Sequence, residues 1–168
     1  MEFTICTIGF AGKTAEEFFN LLSDAGVRKL VDVRENRGGQ LSGYAKYPDL
    51  PFFLERIGHI AYSHEAQLAP TPEIRDAYRA SKDWAQYEAS FMRLMRERGI
   101  PESMELFKTD ETVALLCSEP GPEKCHRRLV AELFAESIRV QGHKVQIRHL
   151  IAERLQQLRE KRERKPRR

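Results

Sequence analysis

Two thiols, a carboxylate, an imidazole and a guanidinium fall within eleven residues of this chain, as Cys117, Glu119, Cys125, His126 and Arg127. A cysteine beside cations and free backbone amides ionises readily, and its thiolate is a strong nucleophile. A carboxylate two residues further on serves as a general acid–base. An arginine binds phosphate or carboxylate through two parallel hydrogen bonds. The set fits a thiol-dependent transferase or hydrolase whose crevice takes a small substrate bearing phosphate or carboxylate. Its competitor is a cysteine that only fills the core, the commonest role of a free thiol, with Arg127 bracing the loop against Glu119 or Asp32.

Metal and redox chemistry use the same residues. Zinc ligands usually come in pairs two to four residues apart, whereas adjacent Cys125 and His126 stand behind a seven-residue gap from Cys117, so neither a metal nor another cofactor is expected. A Cys117–Cys125 redox pair requires the loop to bring the two sulfurs together. His59, His64, His143 and His149 show no ligand spacing and read as structural.

The elements around this cluster are those of a parallel sheet. Val113 to Leu116 form an apolar run that ends in Cys117; Pro120, Gly121 and Pro122 break it, and Leu129, Val130, Leu133 and Phe134 then recur at helical spacing. The pattern is strand, tight loop and helix, with Cys125 and His126 at the helix start, where unpaired amides favour anions. Phe3 to Ile8 is a first strand ending at Thr7 and Gly9. Thr14 and Glu17 make a capping box for a helix, and Lys29 to Val33 is a second strand that delivers Asp32 and Arg34. Asp32 is thereby a candidate general base, and Arg34 a candidate anion clamp. Thr7 and Gly9 offer a close backbone approach, without the glycine pattern of a dinucleotide or P-loop site.

Asn36 to Lys46 lacks regular patterning, although Arg37 and Tyr44 in it are placed to close over a ligand. Further along, Leu50–Gly58 reads as a helix and Ile60–Tyr62 as a short strand. A loop over His64–Pro72 leads into a long helical region over Glu73–Arg98 with a break near Ser81. Trp84, Tyr87, Phe91, Leu94 and Met95 share one face of it, which reads as core rather than as a base-stacking surface. A helix over Glu102–Phe107, a fourth strand over Thr112–Cys117, a helix to about Arg139, a fifth strand over His143–His149 and a terminal helix from Leu150 complete the chain. The fold expected is α/β, a Rossmann-like, doubly wound, mostly parallel sheet of about five strands with helices on both faces. Residues 1–152 form its single domain. Such sheets place sites beyond the carboxyl ends of their strands, here Thr7–Gly9, Asp32–Arg34 and Cys117–Glu119.

Thr7-Ile8-Gly9, Asp32-Val33-Arg34, Leu116-Cys117-Ser118-Glu119 and Cys125-His126-Arg127, with Tyr62, Leu68, Tyr87 and Phe91 between them, resemble the domain-of-unknown-function 488 family over about residues 3–149. The resemblance implies a compact Rossmann-like domain of a cytoplasmic protein and supplies no reaction. Phe10 stands where many such sequences carry histidine or tyrosine. Leu68-Ala69-Pro70-Thr71 replaces a Leu-Gly-Gly, and Arg37-Gly38-Gly39 replaces a turn containing proline and serine. These departures fall in loops expected to border the pocket.

The charge balance is uneven. The 168 residues carry a net charge of +3. From Glu153 onward eight Lys/Arg face three Glu, so this stretch carries +5 and the remainder −2. The basic segment 153–168 supports an alternative function, a non-catalytic nucleic-acid-binding or regulatory module. In it Arg154, Arg159, Lys161, Arg162, Arg164, Lys165, Arg167 and Arg168 would meet phosphates; a solvated helix end is its plainer role. Three cysteines, an odd number, do not suggest a disulfide framework. No apolar run is long enough to span a bilayer, and the start lacks a signal-peptide pattern. A reducing cytoplasmic setting is the simplest fit, with no membrane partner.

Overall fold

The computed structural model describes residues 1–107 and 111–163. Its centre is a sheet of five strands, β1 (Glu2–Gly9), β2 (Lys29–Asp32), β3 (Ala61–His64), β4 (Val113–Cys117) and β5 (Lys144–Leu150), in the order β3-β2-β4-β1-β5. Every neighbouring pair is parallel. Parallel strands covered on both faces become continuous apolar runs, and β4 is buried at all five positions.

The helices are α1 (Ala15–Asp24), α2 (Asp49–Gly58), α3 (Pro72–Ser81), α4 (Trp84–Glu97), α5 (His126–Val140) and α6 (Glu153–Glu163). Strand side chains alternate between faces, and each face has its own core. Phe18, Leu22, Leu50 and Leu54 of α1 and α2 pack with Cys6, Ile8, Leu30 and Leu116. Phe91, Met95, Leu129 and Phe134 of α4 and α5 pack with Ile5, Val31, Leu115 and Cys117. The helices that follow β1 and β2 therefore cover one face, while the helix that follows β4, the strand between them, covers the other. Loops leaving neighbouring strand ends in opposite directions open a crevice at the carboxyl end of β4.

Local chemistry sets the helix limits. Thr14 caps α1 through a complete capping box with Glu17, and Thr71 with Pro72 at the first position begins α3. The long helical region breaks because Lys82 turns left-handed and Asp83 then caps α4. Three sequence expectations are corrected. The stretch 102–107 holds turns rather than a helix. Leu106 is buried, and Met104 and Phe107 pack beside it on the α4/α5 core, so its apolar residues fix an irregular segment. Residues 40–45, expected to be irregular, form a 3-10 turn. Leu150 completes β5 opposite Ile8, and α6 begins only at Glu153. Among the described residues no helix is long and apolar enough to cross a membrane.

Candidate functional site

The loop after β4 runs from Ser118 to Cys125 and leads into α5. Three hydrogen bonds close it. Arg127 Nη1 donates to the Glu119 carbonyl at 2.7 Å, and the amides of Phe10 and Ala11 bond the carbonyls of Cys117 and Ser118 at 3.3 and 3.0 Å. Gly9 makes this approach sterically feasible. A Cβ there would lie 1.6 Å from the Glu119 carbonyl oxygen and 3.0 Å from Arg127 Nη1.

The closed loop brings its reactive groups together. The donor atoms of Cys117, Cys125 and His126 all lie within 4.8 Å of one another. Cys117 Sγ lies against the His126 ring, 3.6 Å from Nδ1 and 3.9 Å from Nε2, while His126 Nε2 donates to the Val33 carbonyl at 3.0 Å. A carbonyl only accepts, so this bond places a proton on Nε2, and Nδ1 is the ring nitrogen left beside the Cys117 sulfur. Arg127 Nη1 also donates to Cys125 Sγ at 3.3 Å.

Arg127 is fully buried, its Nε has no partner, and no carboxylate among the described residues pairs with it. A buried cation without a counter-ion is costly, and the adjoining thiols are the groups able to supply one. The thiol of Cys117 is held below its ordinary range by the hydrogen bond from Cys125, by Arg127 and by the backbone amides of Ser118 and Glu119, against the opposing effect of burial. The Cys125 thiol, donor in that bond and buried, is pushed well above its ordinary range. The two sulfurs thus divide into an acceptor and a donor.

Outside the loop lies a cavity of about 370 Å³. Cys117, Cys125, His126, Ser118, Glu119 and Arg34 line its inner wall. Arg75, Arg79, Lys82 and Lys124 supply four further cations, against the carboxylates of Glu35 and Glu119. Arg75 is paired with Glu35 at 2.7 Å, and Arg79 with Asp76 at 3.0 Å. Trp84, Tyr87 and Tyr78 close the far side.

Of the sequence candidates, Cys117, Glu119, Cys125, His126 and Arg34 meet on this cavity. Asp32, Thr7, Gly9 and Arg127 lie behind it. Asp32 is fully buried; its oxygens receive Arg34 Nε and Nη2 and the Tyr62 hydroxyl at 2.7–2.8 Å. With both oxygens engaged it orients Arg34 rather than facing the cavity. Thr7 is buried and shares a 2.7 Å hydrogen bond with His149. Arg37 stacks on Tyr47 and donates to Tyr62, and the Tyr44 hydroxyl donates to the carbonyls of Phe10 and Lys13, so neither closes over the cavity. Phe91 and Met95 are core, as expected of the α4 stripe, but Trp84 and Tyr87 also reach the cavity wall.

Two features were not found in the sequence. Arg75, Arg79 and Lys82 form a cationic stripe at i, i+4 and i+7 of α3 and its cap, a spacing that puts them on one face. Lys13 is buried with its Nζ unpartnered, and its pKa is pushed down to about 8 by burial and then by Arg127.

At the C-terminus Arg154 is committed to Glu17 and the Gly12 carbonyl. The side chain of Arg159, and Arg164, Lys165, Arg167 and Arg168 entirely, lie outside the described residues.

The fold and the loop define an α/β domain with a thiol–imidazole cluster at the switch point of a parallel sheet. A family model, "Domain of unknown function DUF488", matches residues 14–134, and the chain belongs to that family. The match omits β1 with Thr7 and Gly9, and ends within α5. No curated protein matches the chain, and no solved structure does.

Proposed function

We propose that this protein is a thiol-dependent transferase or hydrolase acting on a small substrate that carries a phosphate or carboxylate. One observation carries the proposal. Cys117 stands 3.6 Å from a His126 ring fixed by the Val33 carbonyl, on the wall of a cavity whose charged lining residues are mainly cations. A nucleophile, its base and a third group that orients the base form a recurrent arrangement for covalent catalysis.

For a phosphate ester the steps run as follows. His126 Nδ1 takes the Cys117 proton, and the thiolate attacks phosphorus, so an S–P bond forms as the ester P–O bond breaks. His126 returns its proton to the departing oxygen. Glu119, exposed at the cavity edge, takes a proton from water in the second step; the hydroxide forms a new O–P bond as the S–P bond breaks, phosphate departs, Cys117 leaves as thiolate, and the Glu119 proton passes to solvent. Arg34 binds the anionic group. Its Nη1 is buried without a partner while Asp32 and the Ala45 carbonyl fix the rest of the guanidinium. Three buried free thiols suit a reducing, cytoplasmic setting.

The test is trapping on Cys117. The full chain is incubated with aryl phosphates and aryl thioesters of carboxylic acids, quenched in acid and digested for mass spectrometry. A phosphoryl or acyl adduct on Cys117, absent in Cys117→Ser together with turnover, is expected. Turnover that survives Cys117→Ser without an adduct overturns the proposal. Lys161 and Arg162 are exposed on α6 and keep nucleic-acid binding as the second function. Salt-sensitive DNA or RNA binding, lost on deletion of residues 161–168, would favour it.

A further inference from the structure

We propose that Cys117, Cys125 and His126 form a binding site for one thiophilic divalent cation of the Zn²⁺ class, with its fourth position open to the cavity. The site stands whether or not Cys117 is a nucleophile, because it needs only the three donors and their spacing.

Distance carries the proposal first. Zinc takes thiolate at about 2.3 Å and imidazole nitrogen at about 2.0–2.1 Å in a tetrahedron, so a bound sulfur and nitrogen lie about 3.6 Å apart and two bound sulfurs about 3.8 Å. Cys117 Sγ and His126 Nδ1 are 3.6 Å apart, and no pair among the three donors exceeds 4.8 Å. Cys117 Sγ also lies 3.9 Å from His126 Nε2, to the side of the Nδ1 lone pair, so closing this triangle onto an ion takes a turn of the His126 ring as well as small shifts of the sulfurs. The long sequence gap that argues against zinc is bridged by the fold, since the Glu119–Arg127 contact returns the loop to its starting point.

The supporting groups suit the metal too. A ligating histidine usually gives its other ring N–H to a carbonyl or carboxylate, and His126 Nε2 already donates to the Val33 carbonyl at 3.0 Å. Arg127 Nη1 donates to Cys125 Sγ at 3.3 Å, the position of a donor that tempers a metal-bound thiolate. Two thiolates neutralise a dication, and the buried Arg127 charge is then left for an anion in the fourth position to balance.

All three residues line the cavity, which is the open space available to a fourth ligand, water or an anion. Three protein ligands with an open fourth corner is the pattern of a reactive rather than a purely structural zinc. The surrounding arginines repel any cation. Selection therefore falls on a metal whose bond to sulfur is strong, and excludes hard Mg²⁺ and Ca²⁺. A metal on Cys117 and His126 withdraws charge from the thiolate and occupies its neighbouring base, so the loaded form is the weaker nucleophile.

The experiment uses the full chain stripped with chelator and kept reduced. It is titrated with Zn²⁺ alone by calorimetry, and with Co²⁺ by absorption, since tetrahedral d–d bands and thiolate charge transfer report the ligand set. One equivalent with tetrahedral, thiolate-bearing Co²⁺ spectra is expected. Cys117→Ser, Cys125→Ser and His126→Gln should each weaken Zn²⁺ by about tenfold or more, and Cys6→Ser should not. Octahedral Co²⁺ without sulfur ligation, no uptake, or uptake indifferent to the three substitutions overturns the site. The wild-type Co²⁺ spectrum decides even where a variant fails to fold. Alkylation of the metal-free chain reports nucleophilicity separately, so the two proposals fail independently.

Discussion

Arg34 clasps Asp32 through two parallel hydrogen bonds, Nε to Oδ1 at 2.8 Å and Nη2 to Oδ2 at 2.7 Å, with both side chains buried. Nη2 also reaches the Ala45 carbonyl at 2.8 Å, and Tyr62 adds its hydroxyl to Asp32. The guanidinium is therefore held in one orientation, and its remaining Nη1 has no protein partner. Such preorganisation would remove the ordering cost of the anion binding proposed for Arg34.

Asp32→Asn keeps the size and removes the charge, which leaves buried Arg34 uncompensated. Breaking a buried pair from one side costs about 3–5 kcal/mol, so urea unfolding should show a loss of that order. Arg34→Lys, which cannot bind bidentately, should fold better than Asp32→Asn yet lose most affinity for inorganic phosphate. Unfolding curves and phosphate titrations check the two effects separately.

Gly9→Ala puts a methyl carbon where the Glu119 carbonyl stands, and backbone cannot step aside as a flexible side chain does. A destabilisation of at least about 2 kcal/mol follows, as expected of overpacking against a fixed wall. Gly38→Ala, whose new carbon would meet only Asn36 Oδ1 at 3.8 Å, is the control and should change stability little. Thermal unfolding of both variants measures the contrast.

Lys13 gives a pH signature. Its folded pKa is about 8 against an ordinary 10.5. Between those values the unfolded chain binds more protons, so this residue makes stability rise with pH from about 8 to 10.5, and below 8 its full penalty stands. Lys13→Met should stabilise the protein at pH 7 by up to about 3 kcal/mol. The advantage over wild type should shrink as pH approaches 10.5. Other groups titrate in both chains, so the wild-type-minus-variant difference in denaturation free energy is the quantity to follow.

The α3 stripe makes a charge prediction. Arg79→Glu with Lys82→Glu reverses two exposed cations at the cavity edge. Pyrophosphate affinity should fall about tenfold at low salt and less at high salt, because exposed charges are screened. Stability should hardly change. Calorimetric titration at two ionic strengths reads both terms.

Much of this architecture is written locally. The β4 run and the chain break after Cys117 announce strand and crevice, because a strand buried on both faces leaves an unbroken apolar signature. The thiols, His126 and Arg34 were found as residue types at strand and helix ends. Their division of labour was hidden. Asp32 and Arg34 look like two functional groups at one strand end, and only tertiary packing turns the carboxylate inward to Tyr62 and Arg34. The cations of α3 carried their signal in helical spacing, but nothing in that helix says it borders a loop some forty residues away. Cys117 and Cys125 look too far apart to share a ligand because spacing rules ignore a loop held shut by Arg127 and made passable by Gly9.

The most direct test is the rate at which Cys117 reacts with iodoacetamide in metal-free, reduced protein at pH 7, measured peptide by peptide. Thiolate character and cavity access together predict labelling of Cys117 at least about tenfold faster than in the urea-unfolded chain. Buried Cys6, whose pKa burial raises to about 11, should stay unlabelled in the same sample. His126→Gln should slow Cys117 toward the unfolded rate. Labelling of Cys117 no faster than in the unfolded chain would contradict the nucleophile and reduce the cluster to packing.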